Sequence, residues 1–225
     1  NIKLQTNGPL GAGGWSAQPS GCTSILGQSV CLAKTFKRLS PHFVTVRWPD
    51  GSQEVFDFPP SAGADLYYDA SAAFTGRSSA TSKLEVDGDP YVQYLNDGNI
   101  YNSELTGYFD PQRFRLTSKD GTTYVIDRDD GLISATDRHG NYLAVTHDGV
   151  ISSTGKSIAF NRDAQDRITG LTGPSGEEVS YTYGPSGDLD SVTDARANTM
   201  RFTYDADHNL LVSKDPQNRP FRTVS

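Results

Sequence analysis

Carboxylates dominate the groups in this sequence that could do chemistry: its 225 residues carry 22 Asp but only 5 Glu. Asp205-Ala-Asp207-His-Asn209 has the alternating donor spacing of a Ca²⁺ loop. However, Leu210 and Pro216 stand where such a loop needs its Gly and its bidentate Glu. Asp127-Arg-Asp129-Asp130-Gly131 is incomplete in the same way. Both stretches fall where a hairpin has to turn, and turns want Asp and Asn for left-handed backbone and for side-chain bonds to nearby N–H groups. The turn reading therefore outranks calcium. His42, His139, His147 and His208 are not paired at metal-ligand spacing, and the last three lie in or beside turns, where solvated side chains are expected. There is no Gly-x-Ser-x-Gly elbow for acyl transfer. The glycines of Gly8-Pro-Leu-Gly11-Ala-Gly-Gly14 lack the strand-to-helix setting of a phosphate cradle. With this many Asp, carboxylate pairs of the glycosidase kind arise by chance. No catalytic residue, metal ligand or cofactor is assigned, and the expectation is a protein that is not an enzyme.

Cys22 and Cys31 stand nine residues apart in a Gly/Ser-rich stretch. They close a small loop if the chain is exported and remain two thiols if it is cytosolic. Their spacing does not choose. Export is the preferred expectation, with a structural disulfide ranked above a Cys nucleophile. No Asn-x-Ser/Thr acceptor for glycosylation occurs.

The groups just named need elements to hold them, and composition limits which. Asp favours turns and caps, whereas Glu favours helix. Together with 22 Gly, 12 Pro, 11 Tyr and 10 Phe, this points to an all-β protein of short strands and tight turns. A net charge of −7 with 20 scattered Lys and Arg forms no basic stripe, so no nucleic-acid partner is expected. No apolar run reaches the roughly 18–20 residues of a membrane helix, so no membrane span is expected. The single Met lies at position 200 and the chain starts Asn1-Ile-Lys. The sequence is accordingly read as a segment of a longer polypeptide.

Internal repetition is the main signal. Phe202-Thr-Tyr204-Asp205, Tyr181-Thr-Tyr183-Gly184 and Phe160-Asn-Arg162-Asp163 recur at intervals of 21 residues. Tyr124-Val-Ile126-Asp127 opens a fourth copy, and a shortened unit fills Val145–Gly155. Apolar residues at i and i+2 leave one face of a strand. A turn follows, then a short strand around Leu132, Ile168, Leu189 or Leu210, then a second turn at Gly173, Asp194 or Asp215. Each unit reads as a β-hairpin that cannot bury its apolar face alone. Stacked antiparallel hairpins then form one coiled or spiralling sheet.

Phe43–Phe56 and Phe114–Tyr124 show the same alternation around Asp50-Gly51 and Asp120-Gly121. The expected organisation is a β-rich opening segment over 1–113 and repeats over 114–225. A loop excursion is expected near 59–82, with one helical turn at 70–73. The aromatic ladder Tyr124, Phe160, Tyr181, Tyr183, Phe202 and Tyr204 has two readings: cross-strand core, or exposed rings that stack on sugars. Core is preferred because the ladder keeps register with the repeat. Trp15, beside glycines, reads as a plug over a sheet edge, and Trp48, before Pro49-Asp50-Gly51, as a candidate exposed contact.

Tyr204-Asp205-Ala-Asp-His-Asn-Leu210 with its Asp215-Pro216 turn resembles the Tyr-Asp (YD) repeat of the Rhs family, whose relatives include Tc-toxin shell proteins and teneurins. Gly8–Ser16 resembles the Gly-rich, Trp-containing opening of such arrays, and Thr136–Asn141 a common second turn. Only one copy keeps the Tyr-Asp dipeptide: the others read Tyr183-Gly184, Arg162-Asp163 and Ile126-Asp127. The resemblance implies a spiralling β-shell in a large exported or cell-surface protein, with this chain as the opening part of the array. In bacterial relatives such a shell encloses a toxic C-terminal region; in teneurins it supports surface recognition. It implies as partners the later repeats and the enclosed C-terminal region of the parent polypeptide. A cell-surface or carbohydrate-binding adhesion module is the alternative, with a glycan or surface partner. Edge-to-edge self-association is expected of the isolated sheet.

Overall fold

The computed structural model describes residues 2–58, 61–62 and 70–223. Among them every regular element is a strand, and the chain divides into two compact units, Asn1–Tyr142 and Leu143–Ser225. The unit boundary thus falls inside the repeat segment expected over 114–225. Much of the expected excursion, residues 59, 60 and 63–69, lies outside the described residues. Ala70–Ser71, expected in a helical turn, is instead a strand: both residues pair with Tyr91–Val92, and Ala70 is buried. Partner strands on either side outweigh the weak local helix preference of Ala.

In unit 1 the strands are β1 (Lys3–Thr6), β2 (Trp15–Ile25), β3 (Gln28–Arg38), β4 (Phe43–Arg47), β5 (Gln53–Asp57), β6 (Ser61–Ala62) and β7 (Ala70–Ser71). They continue with β8 (Thr75–Gly76), β9 (Lys83–Val86), β10 (Tyr91–Tyr94), β11 (Ile100–Asn102), β12 (Arg113–Thr117), β13 (Thr123–Asp127) and β14 (Gly131–Thr136). One sheet runs β1-β4-β5-β8 and a second β11-β10-β7-β6; β2 and β3 form a long two-stranded ribbon. A fourth ladder joins β9, β12, β13 and β14, all antiparallel.

Strict alternation drives these strands. In β4, β5 and β12 buried and solvent-facing positions alternate, which places Val44, Val46, Phe56, Phe114 and Leu116 inside. The core centres on Phe58, whose ring meets Trp15, Phe74 and Phe109 at centroid distances of 5.5, 5.4 and 5.3 Å. Trp15 is buried, stacks on His42 at 4.7 Å and donates its indole N–H to the Leu10 carbonyl. Gly11 and Gly14 permit this packing. A Cβ on Gly11 would run into the carbonyl of Ile100, and one on Gly14 into Ser40.

Unit 2 comprises β15 (Tyr142–Thr146), β16 (Gly149–Ser152), β17 (Ser157–Arg162), β18 (Ile168–Thr172), β19 (Glu178–Tyr183), β20 (Leu189–Thr193), β21 (Thr199–Tyr204), β22 (Leu210–Lys214) and β23 (Pro220–Thr223). Each strand pairs with the next in antiparallel register. The period of two persists here at lower amplitude: β19 and β21 alternate between half-buried and exposed.

Candidate functional site: the capped turns and clasped edge of the repeats

One five-residue turn recurs in both units. Among the described residues ten hairpins share it: 48–52, 118–122, 137–141, 152–156, 163–167, 173–177, 184–188, 194–198, 205–209 and 215–219. In each, the first residue's N–H donates to the fifth residue's carbonyl, and the fourth residue's N–H donates back to the first. The fourth residue has positive φ in all ten. This is a type I turn followed by a left-handed residue, the standard three-residue hairpin loop.

Two solutions to that left-handed position divide the turns. Where the first residue is Trp48, Ser118, Ser152, Gly173 or Gly184, the fourth is glycine. Where it is Asp, the fourth is Gly140, Asp166, Ala197, His208 or Asn218. Each of these Asp carboxylates accepts N–H bonds from the third and fifth turn residues, as Asp194 does from Arg196 at 2.8 Å and Asn198 at 2.9 Å. The cap offsets the strain of a side chain at positive φ. Those bonds also hold the carboxyls below the ordinary Asp range. The leading contributors are the Arg167 side chain for Asp163, the Asn198 side chain for Asp194, and the Asn209 and Arg219 backbone N–H groups for Asp205 and Asp215.

Immediately beyond the ladder residues lies a repeated β-bulge. Register slips at Val125/Ile126, Asn161/Arg162, Thr182/Tyr183 and Thr203/Tyr204, leaving Ile133, Thr169, Asp190 and Leu211 as the extra residues.

Along one edge of unit 2, successive turns reach each other. The Arg167 guanidinium donates to the Gly187 carbonyl at 3.5 Å, and His208 Nδ1 lies 2.9 and 3.0 Å from the two Asp188 oxygens. His147, in the shortened unit, lies between Asp148 at 2.9 Å and Asp166 at 2.7 Å. Asp148 first, then Asp166, raises the His147 pKa above its ordinary value. Arg167 also covers the Tyr183 ring at 4.3 Å, while the Tyr183 hydroxyl donates to the Ile168 carbonyl at 2.7 Å. These clasps escape sequence reasoning, which treats His147 and His208 as solvated. The one available signal is that Asp166, Gly187 and His208 share a turn position at 21-residue spacing.

The ladder residues Phe160, Tyr181, Tyr183, Phe202 and Tyr204 share one face with Leu171, Val192 and Met200, all half-buried. Tyr124, in unit 1, packs on the core. So does Trp48, which is half-buried and meets Tyr124 edge-on at 5.6 Å. Cys22 and Cys31 face each other across the ribbon and are joined as a disulfide. Asp127 spends its carboxylate on the Asp129 and Asp130 N–H groups and on Arg113. Ser40 and His42 are 3.1 Å apart; burial, the largest influence, lowers the His42 pKa. That imidazole is stacked beneath Trp15 rather than lining a cleft, which gives the pair a packing role.

No curated protein matches this chain. Residues 162–199 match the RHS repeat family. The match begins at Arg162 beside a bulge and spans three strands and four of the five-residue turns, ending just past the Asp194–Asn198 cap. Over that segment the chain is similar to the RHS repeat, and the flanking hairpins are built on the same turn and bulge.

Proposed function

We propose that the chain is a non-enzymatic structural module, the opening segment of a large exported or surface RHS-repeat protein, bacterial in origin, whose β-shell encloses or displays a C-terminal region. The carrying observation is that successive hairpins of unit 2 are joined by strand pairing and, at two junctions between turns along one edge, by a side-chain clasp, Arg167 to the Gly187 carbonyl and His208 to Asp188. Such units extend without altering their neighbours, as a wall requires. Small-angle scattering on the complete parent polypeptide tests this. A hollow-particle distance distribution supports enclosure; a solid, elongated one removes it.

A second reading, recognition of a glycan or surface partner, is favoured by one feature of unit 1. A cleft of about 380 Å³ is lined by Asp87, Asp89, Asn102, Tyr108 and Gln112. The Tyr108 ring, 48% exposed, stands beside these planar polar groups, a combination suited to a sugar. Saturable binding on a glycan panel, lost in Tyr108→Ala, supports it; a flat panel removes it.

A further inference from the structure

The β2–β3 ribbon carries a feature that folding does not require. From Gly21 to Cys31 every residue is exposed. The apex is the two-residue turn Leu26-Gly27, with φ of 51° and 80°. That geometry favours Asn, Asp or Gly at its first position, and a leucine there is strained. Leu26 is nevertheless 101% exposed and buries nothing. Ile25 and Val30, 52% and 38% exposed, lie on one face of the ribbon, because Thr23 pairs with Val30 and Ile25 with Gln28. The opposite face carries Ser24, Ser29 and the Cys22–Cys31 disulfide, which ties the two strands together close to the apex. Strained backbone, an exposed aliphatic tip and a covalent brace coincide at one place, and such outliers persist where something other than folding uses them.

Charge indicates what the tip meets. Residues 1–49 hold Lys3, Lys34, Lys37, Arg38 and Arg47 and no acid, a formal +5. Residues 50–225 hold the other 15 cations and all 27 acids, a formal −12, and the two sum to −7. Between Trp15 and Ala33 there is no charge at all. An anionic surface would attract the segment that bears the ribbon and repel the rest of the chain. Along the ribbon the order is aliphatic tip, then hydroxyls, then cations, which follows the layering of a bilayer boundary.

We infer that the ribbon tip docks on an anionic lipid bilayer, with Leu26 and Ile25 entering the acyl boundary and Ser24, Ser29, Thr23 and Val30 at headgroup level. The test is co-sedimentation of the full chain with vesicles of phosphatidylcholine and phosphatidylglycerol, alongside vesicles of phosphatidylcholine alone. Binding is expected on the anionic vesicles, weaker on the neutral ones and weakened by salt. Leu26→Asn restores the preferred turn residue, so its melting temperature should equal or exceed the wild type's. Its vesicle affinity should fall about tenfold, the worth of one leucine side chain. Ile25→Ser should weaken binding in the same direction, and Leu39→Asn, at a leucine 65% exposed outside the ribbon strands, should not. The proposal is overturned if the wild type ignores vesicles, or if Leu26→Asn and Ile25→Ser both bind as well as it does. A dimer in light scattering that Leu26→Asn dissociates, without vesicle binding, would reassign the tip to self-association.

Discussion

Units 1 and 2 use one strand grammar and reach different degrees of burial. In β4 and β12 of unit 1 the inward positions Val44, Val46, Phe114 and Leu116 are fully buried. In β19 and β21 of unit 2 the corresponding positions, Tyr181, Tyr183, Phe202 and Tyr204, stay half-buried. The difference lies in layering. Unit 1 brings rings from separate sheets and loops, such as Trp15, Phe58, Phe74 and Phe109, onto one centre. Unit 2 pairs each strand only with its sequence neighbours, so its rings rest on flanking side chains of the same sheet. An apolar face on a single layer gains cross-strand contact and little more. Unit 2 compensates with capped turns and edge clasps.

The largest effect that can break this comparison comes from the two kinds of aromatic residue. Phe58→Ala is expected to destabilise unit 1 by about 3–5 kcal/mol, as large-to-small core changes do. Phe202→Ala should cost unit 2 only about 1–2 kcal/mol, the scale of cross-strand pairs plus partial burial. Urea melts with hydrogen exchange resolved by strand would read both. Equal losses would mean that the ladder face is covered and that the two units do not differ in burial.

Next is Tyr183→Phe, which removes the hydroxyl bond to the Ile168 carbonyl and leaves the ring under Arg167. About 1 kcal/mol is expected, confined to exchange from β18 and β19. An unchanged exchange pattern would show that the hydrogen bond contributes nothing to holding the repeat.

The turn rule gives a smaller effect of opposite sign. Ala197, at φ 63° behind the Asp194 cap, should tolerate glycine with a gain of about 0.5–1 kcal/mol in thermal melts. Asp194→Ala should destabilise more than Asp137→Ala, since the residue at positive φ is Ala197 in the first turn and Gly140 in the second. If the two Asp substitutions behave alike, cap and glycine are not alternatives.

The subtlest test is pH, where the units should respond in opposite directions. His147 has a raised pKa in the folded chain, so its contribution is full below its ordinary value of 6.5 and fades as pH climbs through the raised one. His42 has a lowered pKa, so the unfolded chain binds the proton more readily near 6.5. Unit 1 therefore loses stability as pH falls through that value. Hydrogen exchange between about pH 5.5 and pH 8 should show the β16–β18 region tightening on acidification while the Trp15–His42 region loosens, with each trend removed by His147→Gln or His42→Gln. Parallel trends in the two regions would contradict both assignments.

Much of this molecule is written in local sequence. Period-two alternation locates β4, β5, β12, β19 and β21, and the 21-residue spacing of Phe160, Tyr181 and Phe202 locates the hairpins, because strand faces and turn chemistry are properties of a few consecutive residues. Asp127 and Asp205 are legible as turn residues for the same reason. Tertiary structure decides what depends on neighbours distant in the chain. Identical alternation ends fully buried at Phe114 and half-buried at Phe202, since burial needs a second layer that no strand supplies for itself. Trp48 becomes a core-rim residue because Tyr124 comes to lie beside it, and Ala70–Ser71 becomes a strand because Tyr91–Val92 pairs with it. The bulges at Thr169, Asp190 and Leu211 and the His208–Asp188 clasp arise only when one hairpin is set against the next: register and inter-turn distance belong to the stacked repeats, and a single repeat does not possess them.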